Sequence, residues 1–191
     1  YALDDNQALV RANAADALGG IGQPAKQSVP ALINAVNDED KWVRINIVMA
    51  LGLIKEPTDA VVTCLAATLD DADQRVRSFS AIGLGGIGQA AKKAVPTLIR
   101  ALDDRVTEIR VNAAEALGLI GHPSKQAVPS LLELLQNQYA QVRGSAADAL
   151  GRIGHPAEEI VLALIQRLND DDSRVCRVAT IALGRIGTSA E

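Results

Sequence analysis

The two histidines of the chain, His122 and His155, stand 33 residues apart in GHPS and GHPA. Two imidazoles at a fixed separation could share a metal ion. No cysteine, further histidine or carboxylate cluster joins them in the motif, so they read as turn residues after a glycine and no metal site is expected. Cys64 and Cys176 are distant in sequence and have no metal-type spacing. To act as nucleophiles they would need a neighbouring base in an electropositive setting. Cys176 lies near Arg174 and Arg177, yet no histidine occupies an equivalent position, and free thiols in a reducing compartment, the cytoplasm, are the expectation. The run GLGGIG, residues 83–88, imitates a dinucleotide-binding loop in spelling only, because it falls within and at the end of a helical pattern with no strand before it. No enzyme activity, catalytic residue or cofactor is expected.

The spacing of the histidines is the period of the whole chain. Six segments align with starts 33 residues apart: VRANAADALGGIG from Val10, VRINIVMALGLIK from Val43, VRSFSAIGLGGIG from Val76, IRVNAAEALGLIG from Ile109, VRGSAADALGRIG from Val142 and VCRVATIALGRIG from Val175. A fixed period of this length marks stacked supersecondary units. Within each copy apolar residues recur at helical spacing, as in Val43, Ile47, Ala50, Leu51 and Ile54, defining a helix B. Acidic or Asn groups, Asp38 to Asp40, Asp70-Asp71 and Asn169 to Asp172, are suited to capping its start. Glycines 22, 88, 121, 154 and 187 are placed to end it, and Lys55 departs from that pattern.

Between successive B helices comes a second apolar segment, helix A, as in SVPALINAV, AVPTLIRAL and AVPSLLELL. Pro30, Pro96 and Pro129 recur near its start, and Pro24, Pro57, Pro123 and Pro156 in the turn before it. Proline is tolerated in a first turn and bends a helix if placed deeper, so a short turn and a helix bent at the second proline are expected. The register has no insertion, which predicts one array over residues 1–191: a leading B helix followed by five A–B pairs, cut from a longer protein. Because neither helix buries its apolar face alone, the fold class is all-α, an α-solenoid of stacked antiparallel helix pairs forming a superhelix.

Composition agrees. The chain is 48% hydrophobic and only 2% aromatic, so Ala, Leu, Ile and Val fill the interior, which suits close-packed helices. A net charge of −4 offers no footprint for a phosphate backbone, which excludes nucleic acid as the expected partner. No segment has the length and apolarity of a membrane span, and no membrane partner is expected.

These features resemble HEAT repeats, in particular the short HEAT-like type of phycobilin lyase subunits, whose helix B reads roughly V-R-x-x-A-A-x-A-L-G-x-I-G. The resemblance implies a ladder between adjacent repeats, made by an Asp in the turn and an Arg six residues later whose planar fork can bond carboxylate and turn carbonyls together; the matching pairs are Asp5 with Arg11, Asp38 with Arg44, Asp71 with Arg77 and Asp104 with Arg110. Asn137 and Cys176 interrupt the pattern in the last two copies, so the ladder is expected to weaken toward the C-terminus. A di-iron hydroxylase of similar repeats carries His-Glu pairs that are absent here. HEAT-like DNA glycosylases use a basic, aromatic surface that this chain also lacks.

The resemblance further implies that the B helices line a concave binding face. The stripe of helix B left over from the core is Trp42, Asn46, Met49 and Leu53 in the second copy, flanked by Lys41 and Ile45, and Arg75, Phe79, Ile82 and Gly86 in the third. The only Trp, Met and Phe of the chain therefore share one stripe in adjacent repeats. Later copies put polar residues there, such as Glu108, Asn112, Glu115, Ser145 and Asp148, so the scaffold does not demand bulk at these positions. Trp42, Ile45, Asn46, Met49, Leu53, Arg75, Phe79 and Ile82 are the expected contact surface for a protein or peptide. Handling of a bilin or its acceptor protein, as in the lyases, is the alternative.

Overall fold

A computed structural model describes residues 2–155 and 157–188, and among them every regular element is helical. The B helices are α1 (Ala8–Ile21), α3 (Lys41–Ile54), α5 (Gln74–Ile87), α7 (Thr107–Ile120), α9 (Ala140–Ile153) and α11 (Ser173–Thr188). The A helices between them are α2 (Val29–Asn34), α4 (Asp59–Ala67), α6 (Val95–Ala101), α8 (Val128–Leu134) and α10 (Ala157–Arg167). The chain forms two compact units, residues 1–97 and 98–191. In the first, α1, α3 and α5 pack in succession; in the second, α7, α9 and α11 do the same.

Each B helix is amphipathic because the repeat supplies apolar residues at intervals of three and four. Val43, Ile47, Ala50, Leu51 and Ile54 of α3 are all wholly buried, as are Ile109, Ala113 and Leu117 of α7. Capping is local. Asp40 accepts from the Trp42 amide at 2.7 Å, Asp73 from Arg75 at 2.8 Å and Asp172 from Arg174 at 2.9 Å. The caps thus fall two residues after the ladder acids Asp38, Asp71 and Asp170, which themselves tighten the turn by accepting from residues 40, 73 and 172.

The ends of the B helices use two geometries. At Gly22, Gly88 and Gly121 the backbone has φ near +70° with ψ near −140°, a region essentially closed to side-chain-bearing residues, and a 3-10 turn follows. At Lys55 (φ 53, ψ 35) and Gly154 (φ 68, ψ −1) it is ordinary left-handed and no 3-10 turn follows. This is why a lysine can stand where its counterparts are glycine. Gly187 lies within α11 and does not end it.

The second proline starts helix A instead of bending it. Residues 23–28, 88–94 and 122–127 form 3-10 turns, and α2, α6 and α8 each begin at the valine before Pro30, Pro96 or Pro129. There the missing amide has no intrahelical bond to lose. Pro57 precedes Thr58, whose side chain caps α4; Pro156 lies outside the described residues.

Adjacent B helices meet at small residues. A Cβ added at Gly19 or Gly52 would lie 3.0 Å from the Ala50 Cα and 3.1 Å from the Gly83 Cα; at Gly118 or Gly151 it would lie 2.8 Å from the Ala149 Cα and 2.7 Å from the Ala182 Cα. The glycine of the A-L-G triplets at Gly19, Gly52, Gly118 and Gly151 is therefore a packing residue, whereas a Cβ at Gly184 in the last repeat would meet nothing within 4 Å. The GLGGIG run has the same explanation, since Gly83, Gly85 and Gly86 lie in α5 and Gly83 touches Gly52.

The arginine ladder runs between adjacent repeats, the rungs at Arg11 and Arg44 each joining a carboxylate and a turn carbonyl through one guanidinium. Each Arg grips the backbone carbonyl of the turn residue six before it, as Arg11 does Asp5 at 2.8 Å, Arg44 does Asp38 at 2.9 Å and Arg143 does Asn137 at 2.9 Å. Its carboxylate partner lies 27 residues ahead: Arg11 to Asp38 (2.7 and 2.8 Å), Arg44 to Asp71 (2.8 and 3.1 Å) and Arg143 to Asp170 (2.9 and 2.6 Å). Both nitrogens of the guanidinium edge are used, the two-pronged geometry that arginine alone provides. The ladder does not fade steadily toward the C-terminus, because the Arg143 rung is fully formed. Arg143 also reaches Asp171, and its bonds hold the Asp170 carboxyl down at about 2. The weak rung is Arg110, whose forward partner is Asn137; it bonds the Asp104 carbonyl and Thr107 while its buried Nε has no partner. In the last repeat Cys176 takes the arginine's place, and its Sγ bonds the Asp170 carbonyl at 3.2 Å.

Candidate functional site

The candidate surface lies in the first unit, on the sides of α1, α3 and α5 turned away from the core. Trp42 opens α3, its amide tied to the Asp40 cap, and its side chain is 51% exposed. The Arg75 guanidinium, one repeat later, stacks on the indole 4.1 Å from the ring centre, and Lys41 Nζ stands 6.0 Å from it. A guanidinium over an indole face is attracted by the ring's quadrupole and fixes both side chains. Arg75 is restrained further by Asp73, 3.6 Å from its Nε. Desolvation raises the Asp73 pKa, but the Arg75 amide bond and the charges of Arg75 and Lys41 outweigh it, holding the carboxyl below its ordinary value.

Beyond Trp42 the stripe continues through half-buried Met49 to Leu53, 54% exposed, and on α5 through half-buried Phe79 to Ile82, 51% exposed. Half-buried Asn46 donates its side-chain amide to the Ala12 carbonyl of α1 at 3.2 Å, which braces α3 against α1. Ile45 does not belong to this surface. It is only 3% exposed, and its repeat equivalents Ala12 and Ser78 are buried too, because this position faces the neighbouring B helix. Leu9, in contrast, extends the patch onto α1: it is 70% exposed and, with Trp42, Ala12, Asn13, Asp40 and Asn46, lines a groove of about 390 Å³. It holds the Trp42 position one repeat earlier, so the 33-residue register was the signal that could have found it.

The corresponding face of the second unit has a different character. Asp148 accepts from both Arg152 (2.6 Å) and Arg185, and Ser145 approaches Glu115 at 3.5 Å. Partial burial pushes the Asp148 carboxyl up, but the bonds from Arg185 and Arg152 prevail and keep it below the usual range. Leu119 and Ile181 are exposed there among these charges.

The thiol of Cys64 is another sequence candidate. Cys64 is buried, and burial pushes its thiol up to about 11, so at neutral pH it is not a thiolate. It borders a groove of about 660 Å³ between α2 and α4, whose acids are engaged elsewhere, Asp59 with Lys93 and Asp71 with Arg44. Among the described residues no three His, Cys, Asp or Glu side chains gather as a metal cluster, and no helix is long and apolar enough to cross a membrane.

Stacked helix pairs, close B-helix contacts at glycine and a turn Asp–Arg ladder define an α-solenoid. The chain belongs to the HEAT-repeat family, whose model matches residues 1–67, 61–149 and 128–191. Among curated protein sequences none matches. Among solved structures, an engineered protein is 24% identical with a TM-score of 0.77, covering 98% of this chain and 94% of its own. The complex of CpcE and CpcF of phycocyanin lyase from Nostoc sp. PCC7120 is 28% identical with a TM-score of 0.70, over 97% of this chain and 74% of that one. A designed armadillo repeat protein in complex with peptide (KR)4 is 18% identical with a TM-score of 0.74, over 96% of both chains.

Proposed function

We propose that the chain is a non-catalytic scaffold that binds a protein or peptide on the B-helix face of its first unit, the face that the family resemblance makes concave. The observation that carries this reading is the grouping of half-exposed Trp42, Leu53 and Ile82 on adjacent helices, with Met49 and Phe79 beneath them. Large side chains held at half exposure retain apolar area to bury against a partner, at about 25 cal/mol per Å². Arg75, stacked and paired, keeps Trp42 in one orientation and lowers the entropy lost on binding. The mixed charge around the patch, Lys41 and Arg75 beside Asp16, Asp40 and Asp73, favours an apolar anchor over a run of like charges in the ligand.

Peptides selected from a random library on the wild-type chain provide the test, rebound to a Trp42→Ser/Ile82→Ser variant. Loss of about 30-fold in affinity, as for removal of a hot spot, with an unchanged melting temperature is the expected result. Undiminished binding overturns the choice of face. A collapse of stability would assign these side chains to the core.

A bilin-handling role is the second reading, favoured by the 28% identity to the phycocyanin lyase subunits. It requires a red-region absorbance change when a linear tetrapyrrole is mixed with the chain, or transfer of the pigment to an acceptor protein. Absence of both removes it.

A further inference from the structure

The 33-residue period sets His122 and His155 at the same point of successive turns, each directly after a glycine with positive φ, Gly121 (76°) and Gly154 (68°). In the folded second unit their rings come together, with centroids 5.7 Å apart and planes tilted by 57°. Both side chains are exposed, and neither has a hydrogen-bond or ion-pair partner among the described residues. A metal bound to one nitrogen of each ring at 2.0–2.1 Å would sit about 3.2 Å from each centroid. At the observed separation those two bonds would enclose an angle of about 125° at the metal, close to the tetrahedral value zinc prefers. Both rings are carried on turns of adjacent repeats of the second unit.

We propose that His122 and His155 form a surface site for a borderline divalent transition metal of the zinc class, with two imidazole ligands from the protein and water in the remaining positions. Imidazole suits Zn²⁺, Ni²⁺ and Cu²⁺ and leaves Mg²⁺ to oxygen donors. The site is independent of the apolar patch in the first unit. It clips α7's turn to α9's turn, and a bound ion keeps open positions that an external donor can enter.

These are the only two histidines in the chain, so imidazole signals report the site without interference. The experiment is a calorimetric titration of the tag-free chain with ZnCl₂ at pH 7.5, repeated on His122→Ala, His155→Ala and the double variant. One Zn²⁺ per chain is expected. Each single variant should bind at least about tenfold more weakly, and the double variant no more weakly than the singles, as loss of a two-ligand chelate requires. Side-chain ¹H–¹⁵N spectra should show both imidazoles shifting together with Zn²⁺ and neither with Mg²⁺. A single variant that loses less than fivefold, or a spectrum in which one imidazole responds alone, overturns the proposal. Both substitutions fall on exposed turn positions, and an unchanged circular dichroism spectrum verifies that the fold is intact.

Discussion

Replacing either of two glycines in α9 by alanine should move stability in opposite directions, although the two sites are seven residues apart in one helix. A Cβ at Gly144 meets nothing within 4 Å, so Gly144→Ala gains the helix-propensity difference of about 1 kcal/mol without a steric cost. A Cβ at Gly151 would fall 2.5 Å from the Ala182 Cβ and 2.7 Å from its Cα, against a comfortable carbon separation of about 3.5–4.0 Å. The obstacle includes backbone, so α9 and α11 must part by about 1 Å along a contact that runs the length of both. Overpacking of this kind costs about 3 kcal/mol at the upper end, which exceeds the propensity gain and leaves a net loss of about 2 kcal/mol. For a chain of this size Gly151→Ala should lower the melting temperature by about 4–8 °C and Gly144→Ala raise it by about 2–4 °C. Urea titrations of the two variants and the wild type give the same comparison at one temperature. If both variants move the same way, the close B-helix contact is not what selects glycine at this position.

Restoring the weak rung by Asn137→Asp should give Arg110 Nε a carboxylate and stabilise the chain by about 1 kcal/mol at pH 7, measured by urea midpoint; no gain would mean that Arg110 cannot adopt the two-pronged geometry. Ser124 buries a hydroxyl with no partner where other repeats carry Ala25 and Ala91, so Ser124→Ala should stabilise by about 1 kcal/mol in thermal melts. Gly121→Ala, in the region closed to side chains, should cost about 2–3 kcal/mol, and Gly154→Ala, in ordinary left-handed backbone, about 1 kcal/mol. Acid sensitivity should follow the ladder. Asp38 and Asp170 are held below their unfolded values by Arg11 and Arg143, so their contribution is complete above about pH 4 and is lost on further acidification, that of Asp170 as pH falls through about 2. Asp170→Asn should flatten the dependence of the urea midpoint on pH across that window.

The repeat, its two helices and the positions of most turns were legible because a 33-residue self-similarity and 3.6-residue periodicity are properties of the linear chain. The patch was legible in part. Trp42, Leu53 and Ile82 could be assigned to an outer stripe from angular position alone, whereas Ile45 differs from Trp42 by only about 60° around the helix. Whether such a borderline position is open or covered depends on how closely the next helix approaches.

That approach is a tertiary quantity, and it decided other features that sequence reasoning left open. The residue six before Arg11, Arg44 and Arg143 supplies a backbone carbonyl, while the carboxylate comes from 27 residues ahead, because stacking sets one turn against the next. The same stacking carries His122 and His155, separated by a full repeat, to 5.7 Å. The sequence by itself determined that these residues recur in equivalent places. Only the tertiary structure decided which equivalent places touch, since the offset between neighbouring repeats is set by side-chain volume at the glycine and alanine contacts and not by the period.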